Sequence, residues 1–154
     1  EAVPQDMVSV RMGPDVRLLV VCSPDYLARQ NAVPQTPHDL LSHACIRYRF
    51  TSGKLYRWEF ERDGKSVVLD VGGPLTLDSP LLMAEAALHG VGIAYVYEGY
   101  VCEHLQSGRL VQLLPDWTPV YAGLCLYYPR QRHLTAALRA FIDLAKEARG
   151  AFAV

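Results

Sequence analysis

The sequence predicts an α/β protein, and three observations carry that prediction. Short apolar runs, the length of buried strands, alternate with capped helical segments along most of the 154 residues. A polar residue followed by Pro recurs at Ser23-Pro24, Thr36-Pro37 and Ser79-Pro80, each the signature of a helix start. One stretch with period two, Trp58-Glu59-Phe60-Glu61, precedes an Asp63-Gly64 turn and marks a hairpin.

Taken in order, Arg17 to Cys22 is a continuous apolar run of the kind found in buried parallel strands. Ser23 caps a short helix over Asp25–Arg29, with Pro24 in its first turn. Thr36-Pro37-His38-Asp39 has capping-box spacing and starts a second helix with Leu40 and Leu41 facing inward. Ala44 to Phe50 is a strand, Thr51 to Lys54 a loop. The hairpin returns along Val67–Val71, Gly72-Gly73-Pro74 ends it, and Leu75–Leu77 is a further strand. From Ser79-Pro80 a helix runs to His89 and stops at Gly90. Its composition leaves only Glu85 and His89 for water, which predicts burial nearly all round. Gly90 to Tyr97 leads into a strand. A helix over Glu98–Gln106 shows Val101 and Leu105 on one face, and Leu110 to Leu114 is a strand closed by Pro115. Val120 to Tyr128 reads as one strand. A last helix, capped by Thr135, sets Leu138, Phe141, Ile142 and Ala145 at helical spacing and ends at Gly150.

Composition bounds the function. With 51% hydrophobic residues the chain is far from disordered, and at this length it can bury a core without metal or disulfide staples. Lys and Arg total 15 against 16 Asp and Glu, so no excess of positive charge exists to neutralise nucleic-acid phosphates. No apolar run approaches the ~20 residues a membrane span needs. Cys22, Cys45, Cys102 and Cys125 form no Cys-x-x-Cys pair and read as reduced thiols of a cytoplasmic protein. His38, His43 and Cys45, like Cys102 and His104, lack zinc-site spacing, and phosphate-loop, dinucleotide and nucleophile-elbow motifs are missing. No metal, cofactor or catalytic residue is expected; Asp78 is the one candidate acid or base that an enzyme reading offers. The chain begins at Glu1 with neither Met nor signal, which reads as a piece of something longer.

Two places suit a ligand. Asp78-Ser79-Pro80 follows the strand Leu75–Leu77, and in open α/β sheets ligands sit beyond the carboxyl ends of strands, where helix N-termini favour anions. The alternative is that Ser79 merely caps its helix. Tyr95 and Tyr97 share one strand face near its carboxyl end, where two phenols can line a pocket or simply pack in the core.

Six segments in order, "VRLLVVCSPDYLAR" from Val16, "TPHDLLSHACIRY" from Thr36, "WEFERDG" from Trp58, "AALHGVGIA" from Ala86, "HLQSGRLVQLLPDW" from His104 and "YYPRQRHLTAALRAF" from Tyr127, resemble the effector-binding domain of LysR-type transcriptional regulators. The resemblance implies a fold like type 2 periplasmic binding proteins, with two α/β subdomains and a small-molecule effector in the cleft between them. It also implies a DNA-binding winged helix-turn-helix that would precede this chain, and homo-oligomers. On that basis residues 1–119 are the second subdomain, and 120–154 return to a first subdomain whose earlier half is missing. The C-terminal strand would then lack its partners and invite self-association. The effector, a carboxylate or aromatic metabolite, would meet Phe50, Thr51, Ser52 and Tyr56 of one loop, the helix start Asp78, Ser79 and Pro80, and Tyr95 and Tyr97. Arg49 is the nearest cation for a carboxylate. Alternatives on the same fold are a solute-binding protein and an enzyme.

Overall fold

The computed structural model describes residues 6–130 and 135–147. Its strands are β1 (Met7–Arg11), β2 (Val16–Cys22), β3 (Cys45–Tyr48), β4 (Trp58–Arg62), β5 (Lys65–Leu69), β6 (Leu75–Leu77), β7 (Ile93–Tyr97), β8 (Val111–Leu113), β9 (Val120–Tyr121) and β10 (Cys125–Pro129). The α-helices are α1 (Pro24–Ala28), α2 (Pro80–Leu88), α3 (Cys102–Gln106) and α4 (Ala136–Glu147). The described residues fall into two compact units. Arg17–Val120 forms one, and residues 6–16 group with those from Tyr121 onward in the other. This differs from a division at residue 119, because the opening segment belongs with the C-terminal one.

The central unit is built on a sheet in the order β6-β3-β7-β2-β8. β3 lies parallel to β6 and β7, whereas β2 is antiparallel to both β7 and β8. The Arg17–Cys22 run is therefore buried as expected but not parallel; a continuous apolar run reports burial on both faces, not direction. Parallel β6 and β7 need a crossover, which α2 supplies. Met83, Ala84 and Ala87 of α2 pack on Leu19, Val21, Ile46, Ala94 and Val96 of the sheet. Leu81 and Leu82 are more than half exposed. The prediction of all-round burial fails because α2 meets only one sheet face and so buries only one stripe.

The opposite sheet face carries the β4–β5 hairpin. Trp58 and Phe60 are buried while Glu59 and Glu61 point to water. Asp63 (φ 52) and Gly64 (φ 73) both take positive φ, as a type I′ turn requires. Trp58 is fully buried and packs its ring 5.2 Å from that of Tyr95, with Phe60 5.5 Å from the same ring.

The helix starts behave as read, with one change of type. Ser23 Oγ accepts from Tyr26 N–H at 3.2 Å, and the buried Tyr26 hydroxyl accepts from Ala44 N–H at 3.0 Å. After Thr36 the chain makes a 3-10 helix, Pro37–Ser42, instead of an α-helix. Asp39 accepts the Gln35 and Thr36 amides there, and those two hydrogen bonds hold its carboxyl below the usual carboxylate range. Leu40 is buried but Leu41 is exposed, since neighbours on a three-residue turn point ~120° apart. The segment over Glu98–Gln106 is likewise divided, into a 3-10 turn (Glu98–Tyr100) and α3.

In the second unit β1, which the sequence reading left unassigned, pairs antiparallel with β10 from Met7↔Pro129 to Arg11↔Cys125. The C-terminal strand thus has a partner along one edge, contrary to the expectation that it lacks one. The expected single strand over Val120–Tyr128 is two, β9 and β10. Between them Gly123 lies so close to Pro14 that a Cβ would fall 1.7 Å from the Pro14 carbonyl oxygen. On α4, Thr135 Oγ1 accepts from Leu138 N–H, and Ile142 and Ala145 are buried. Phe141, expected inward with them, is exposed, and the expected stop at Gly150 lies outside the described residues. Among the described residues no helix is long and apolar enough to cross a membrane.

Candidate functional site

A cavity of about 190 Å³ opens in the central unit at the carboxyl ends of the parallel strands. Tyr48 ends β3 and Tyr97 ends β7; Tyr95 and Val96 precede the latter, and Leu18 enters on β2 directly opposite Tyr97. Pro80 and Met83 of α2 close a second side, and Phe50 and Tyr56 a third.

The loop explains how Phe50 and Tyr56 meet. Phe50 N–H donates to the Lys54 carbonyl at 2.9 Å, Gly53 N–H to the Phe50 carbonyl at 2.8 Å, and Tyr56 N–H to the Tyr48 carbonyl at 2.9 Å. Gly53 supplies the positive φ this reversal needs. The chain therefore doubles back, which sets the Phe50 and Tyr56 rings 5.9 Å apart and leaves Thr51 and Ser52 exposed at the tip. Phe50 also meets Tyr48 edge-on at 5.2 Å, and Tyr56 stacks with Tyr95 at 6.2 Å. Tyr95 is the fixed point: its hydroxyl donates to the Glu59 carbonyl at 2.6 Å, and its ring lies against Trp58 and Phe60.

Of the nine candidate residues, Phe50, Tyr56, Pro80, Tyr95 and Tyr97 line this cavity, whereas Thr51, Ser52, Asp78 and Ser79 do not. Ser79 accepts from Leu82 N–H at 3.4 Å and so caps its helix. Asp78 is exposed. Sequence reasoning missed Tyr48, Leu18, Met83 and Val96. The signal for Tyr48 was present, since it ends a strand two residues before Phe50; Leu18 and Val96 required the β2–β7 register.

No lining side chain is charged. Arg49 is exposed and outside the lining, and Arg47 donates Nε to Thr76 Oγ1. Arg17, next to Leu18, makes a two-pronged ion pair with Glu98 at 2.6 and 3.0 Å. At the α2 start, Pro80 has no N–H and that of Leu82 is taken by Ser79, which leaves a poor anion site. A larger, open depression of about 620 Å³ involves Glu61, Arg62, Asp63 and Asp116. Its lining is acidic on balance, three carboxylates against Arg62, which lies 3.6 Å from Asp63, and it lacks the mainly apolar walls of a ligand pocket.

The cysteines take no part in the cavity. Burial pushes the Cys22 and Cys45 thiols up to about 12, so they stay protonated at neutral pH, while Cys102 and Cys125 are half-buried. Thiolate is the reactive form. At pH 8, iodoacetamide is expected to modify Cys102 and Cys125 in the folded protein, and Cys22 and Cys45 only after denaturant is added; mass spectrometry of the labelled peptides reads the difference. Among the described residues no group of three or more His, Cys, Asp or Glu is placed to hold a metal ion.

Residues 2–150 match the LysR substrate binding domain. The chain belongs to that family. Relatives of this LysR domain include the HTH-type transcriptional regulator YcaN of Escherichia coli, itself uncharacterized, 40% identical over 94% of this chain and 46% of its own length. The HTH-type transcriptional regulator PgrR of the same organism is 37% identical over 92% of the chain and 48% of its length. The chain thus spans about half the length of the curated relatives it matches. Among solved structures, the regulatory domain of AphB from Vibrio vulnificus superposes with a TM-score of 0.77 at 24% identity, covering 94% of this chain and 70% of that one. The CrgA regulatory domain from Neisseria meningitidis gives 0.73 at 24% identity, over 97% and 72%. The fold is that of LysR regulatory domains, the periplasmic-binding-protein type 2-like α/β class.

Proposed function

We propose that this chain is the ligand-sensing part of a longer cytoplasmic LysR-type transcriptional regulator, and that its effector, a small carboxylate or aromatic metabolite, binds in the aromatic cavity. The observation that carries the reading is the placement of that cavity at the carboxyl ends of parallel strands, in a chain matching the LysR domain over residues 2–150. The rest of the regulator would supply the DNA-binding helix-turn-helix and assemble as a homo-oligomer. An effector changes DNA binding only by its different affinity for two arrangements of the protein, and such coupling is typically 5- to 150-fold. No catalytic role is assigned: Asp78, the carboxylate an enzyme reading would use, is exposed and is not among the lining residues of the cavity. The relatives, being transcriptional regulators, favour this over a solute-binding protein.

The test uses the full-length regulator and its own upstream DNA. Metabolites that raise the melting temperature of the protein are titrated into a DNA mobility-shift assay. At least one is expected to change the apparent DNA affinity about fivefold or more, and Tyr97→Ala to suppress the change. A metabolite that fills the cavity and leaves DNA affinity unaltered overturns the proposal.

A further inference from the structure

Resting on the reading of this cavity as the ligand site, we infer that it selects an uncharged aromatic guest of one ring or one fused pair and discriminates against an aliphatic carboxylate. Size comes first. An apolar cavity of roughly 150 Å³ holds benzene, so about 190 Å³ accommodates one six-membered ring with a small substituent or a fused pair of rings.

The wall chemistry comes second. Five of the nine lining residues are aromatic, and the others are Leu18, Pro80, Met83 and Val96. Aromatic rings attract one another face-offset or edge-to-face at centroid separations of 4.5–7 Å. The neighbouring pairs here already sample both arrangements: Tyr48–Phe50 and Phe50–Tyr56 edge-on, Tyr56–Tyr95 stacked. A guest ring therefore finds both faces and edges. The Met83 thioether adds a soft contact that rings favour.

Electrostatics decides the discrimination. A carboxylate moved into this lining loses water and gains no cation, because Arg17 is held by Glu98 and Arg49 lies outside. Burying an unpaired charge costs far more than the apolar contacts of a small aliphatic chain return. The phenol of Tyr97, 43% exposed at the rim, can meet a hydroxyl or ring N–H on the guest. The floor is preorganised by Tyr95, which its hydrogen bond to Glu59 and its contacts with Trp58 and Phe60 hold in place, so little ordering accompanies binding.

The experiment is calorimetric titration of the 154-residue chain with indole, phenol, cyclohexanol and succinate, repeated on Tyr97→Ala and Phe50→Ala. Both side chains are substantially exposed, so the variants keep the fold, which circular dichroism verifies. Indole and phenol are expected to bind, phenol at least threefold tighter than cyclohexanol, succinate not detectably, and each variant to weaken indole at least fivefold. Cyclohexanol equal to phenol, or succinate binding that the two variants weaken, overturns the ring assignment while leaving the effector reading standing. Indole binding that neither variant alters places the ring elsewhere and overturns the proposal. No binding by any of the four compounds overturns the cavity as a ligand site together with its selectivity.

Discussion

Trp58→Ala is expected to remove about 3–5 kcal/mol of stability, the usual range for truncating a buried Trp. Against a typical total of roughly 5–15 kcal/mol, that is a large share. The reason lies in what the indole joins. Trp58 is fully buried, with Phe60 6.5 Å away on its own strand and Tyr95 5.2 Å away across the interface with the central sheet. β4 and β5 pair only with each other, so side-chain contacts, not sheet hydrogen bonds, hold the hairpin to the sheet. An isolated two-stranded hairpin is marginal in water, so losing this anchor frees more than one side chain's worth of packing. Urea unfolding followed by far-ultraviolet circular dichroism checks the loss. Phe50→Ala, truncating an aromatic ring that is 43% exposed, is the contrast and is expected to cost less than about 1 kcal/mol. Comparable losses in both variants would show that the hairpin is not anchored through Trp58.

The same residue shows what was legible in the sequence. Alternation in Trp58-Glu59-Phe60-Glu61 and the Asp63-Gly64 turn were enough to place the hairpin, because period and turn chemistry are local. That its inner face would brace Tyr95 was not legible, since the contact joins strands 37 positions apart in the chain, 58 to 95. At the cavity, strand ends and loop geometry deliver Tyr95, Tyr97, Phe50 and Tyr56 to the wall, as their places in the sequence suggest. Thr51, Ser52, Asp78 and Ser79 lie beside lining residues in sequence but outside the cavity lining. A polar residue before Pro is compatible with an anion site and with an ordinary cap, and only the Ser79–Leu82 hydrogen bond distinguishes them. Leu81 and Leu82 make the parallel point for packing: an apolar helix composition states what can be buried, and the single sheet face beneath α2 decides what is.

Gly72 and Gly73 look interchangeable in sequence, one breaker ahead of Pro74, yet substituting them by Ala should give opposite results. A Cβ on Gly73 would lie 1.8 Å from the Cys45 carbonyl oxygen and 2.6 Å from the Cys45 amide nitrogen. These are backbone atoms of the first residue of β3, which is buried and lies between β6 and β7 in the sheet, so no rotamer change relieves the clash. Either β3 separates from the incoming segment or the Cys45 N–H to Gly72 carbonyl hydrogen bond at 3.1 Å breaks. Overpacking commonly costs 1–3 kcal/mol and more where backbone must move, so Gly73→Ala is expected to lose about 3 kcal/mol or more. On Gly72 an added Cβ meets nothing within 4 Å, and φ there is not positive. Gly72→Ala should therefore be neutral or stabilise by up to about 1 kcal/mol, through the unfolded chain's lost freedom. Paired urea denaturation of the two variants measures the difference directly. Because both substitutions add the same methyl group one residue apart, composition and hydrophobicity cancel between them. A gap near zero would mean that β3 can shift freely against the segment before β6, and with it Tyr48 and the wall of the aromatic cavity.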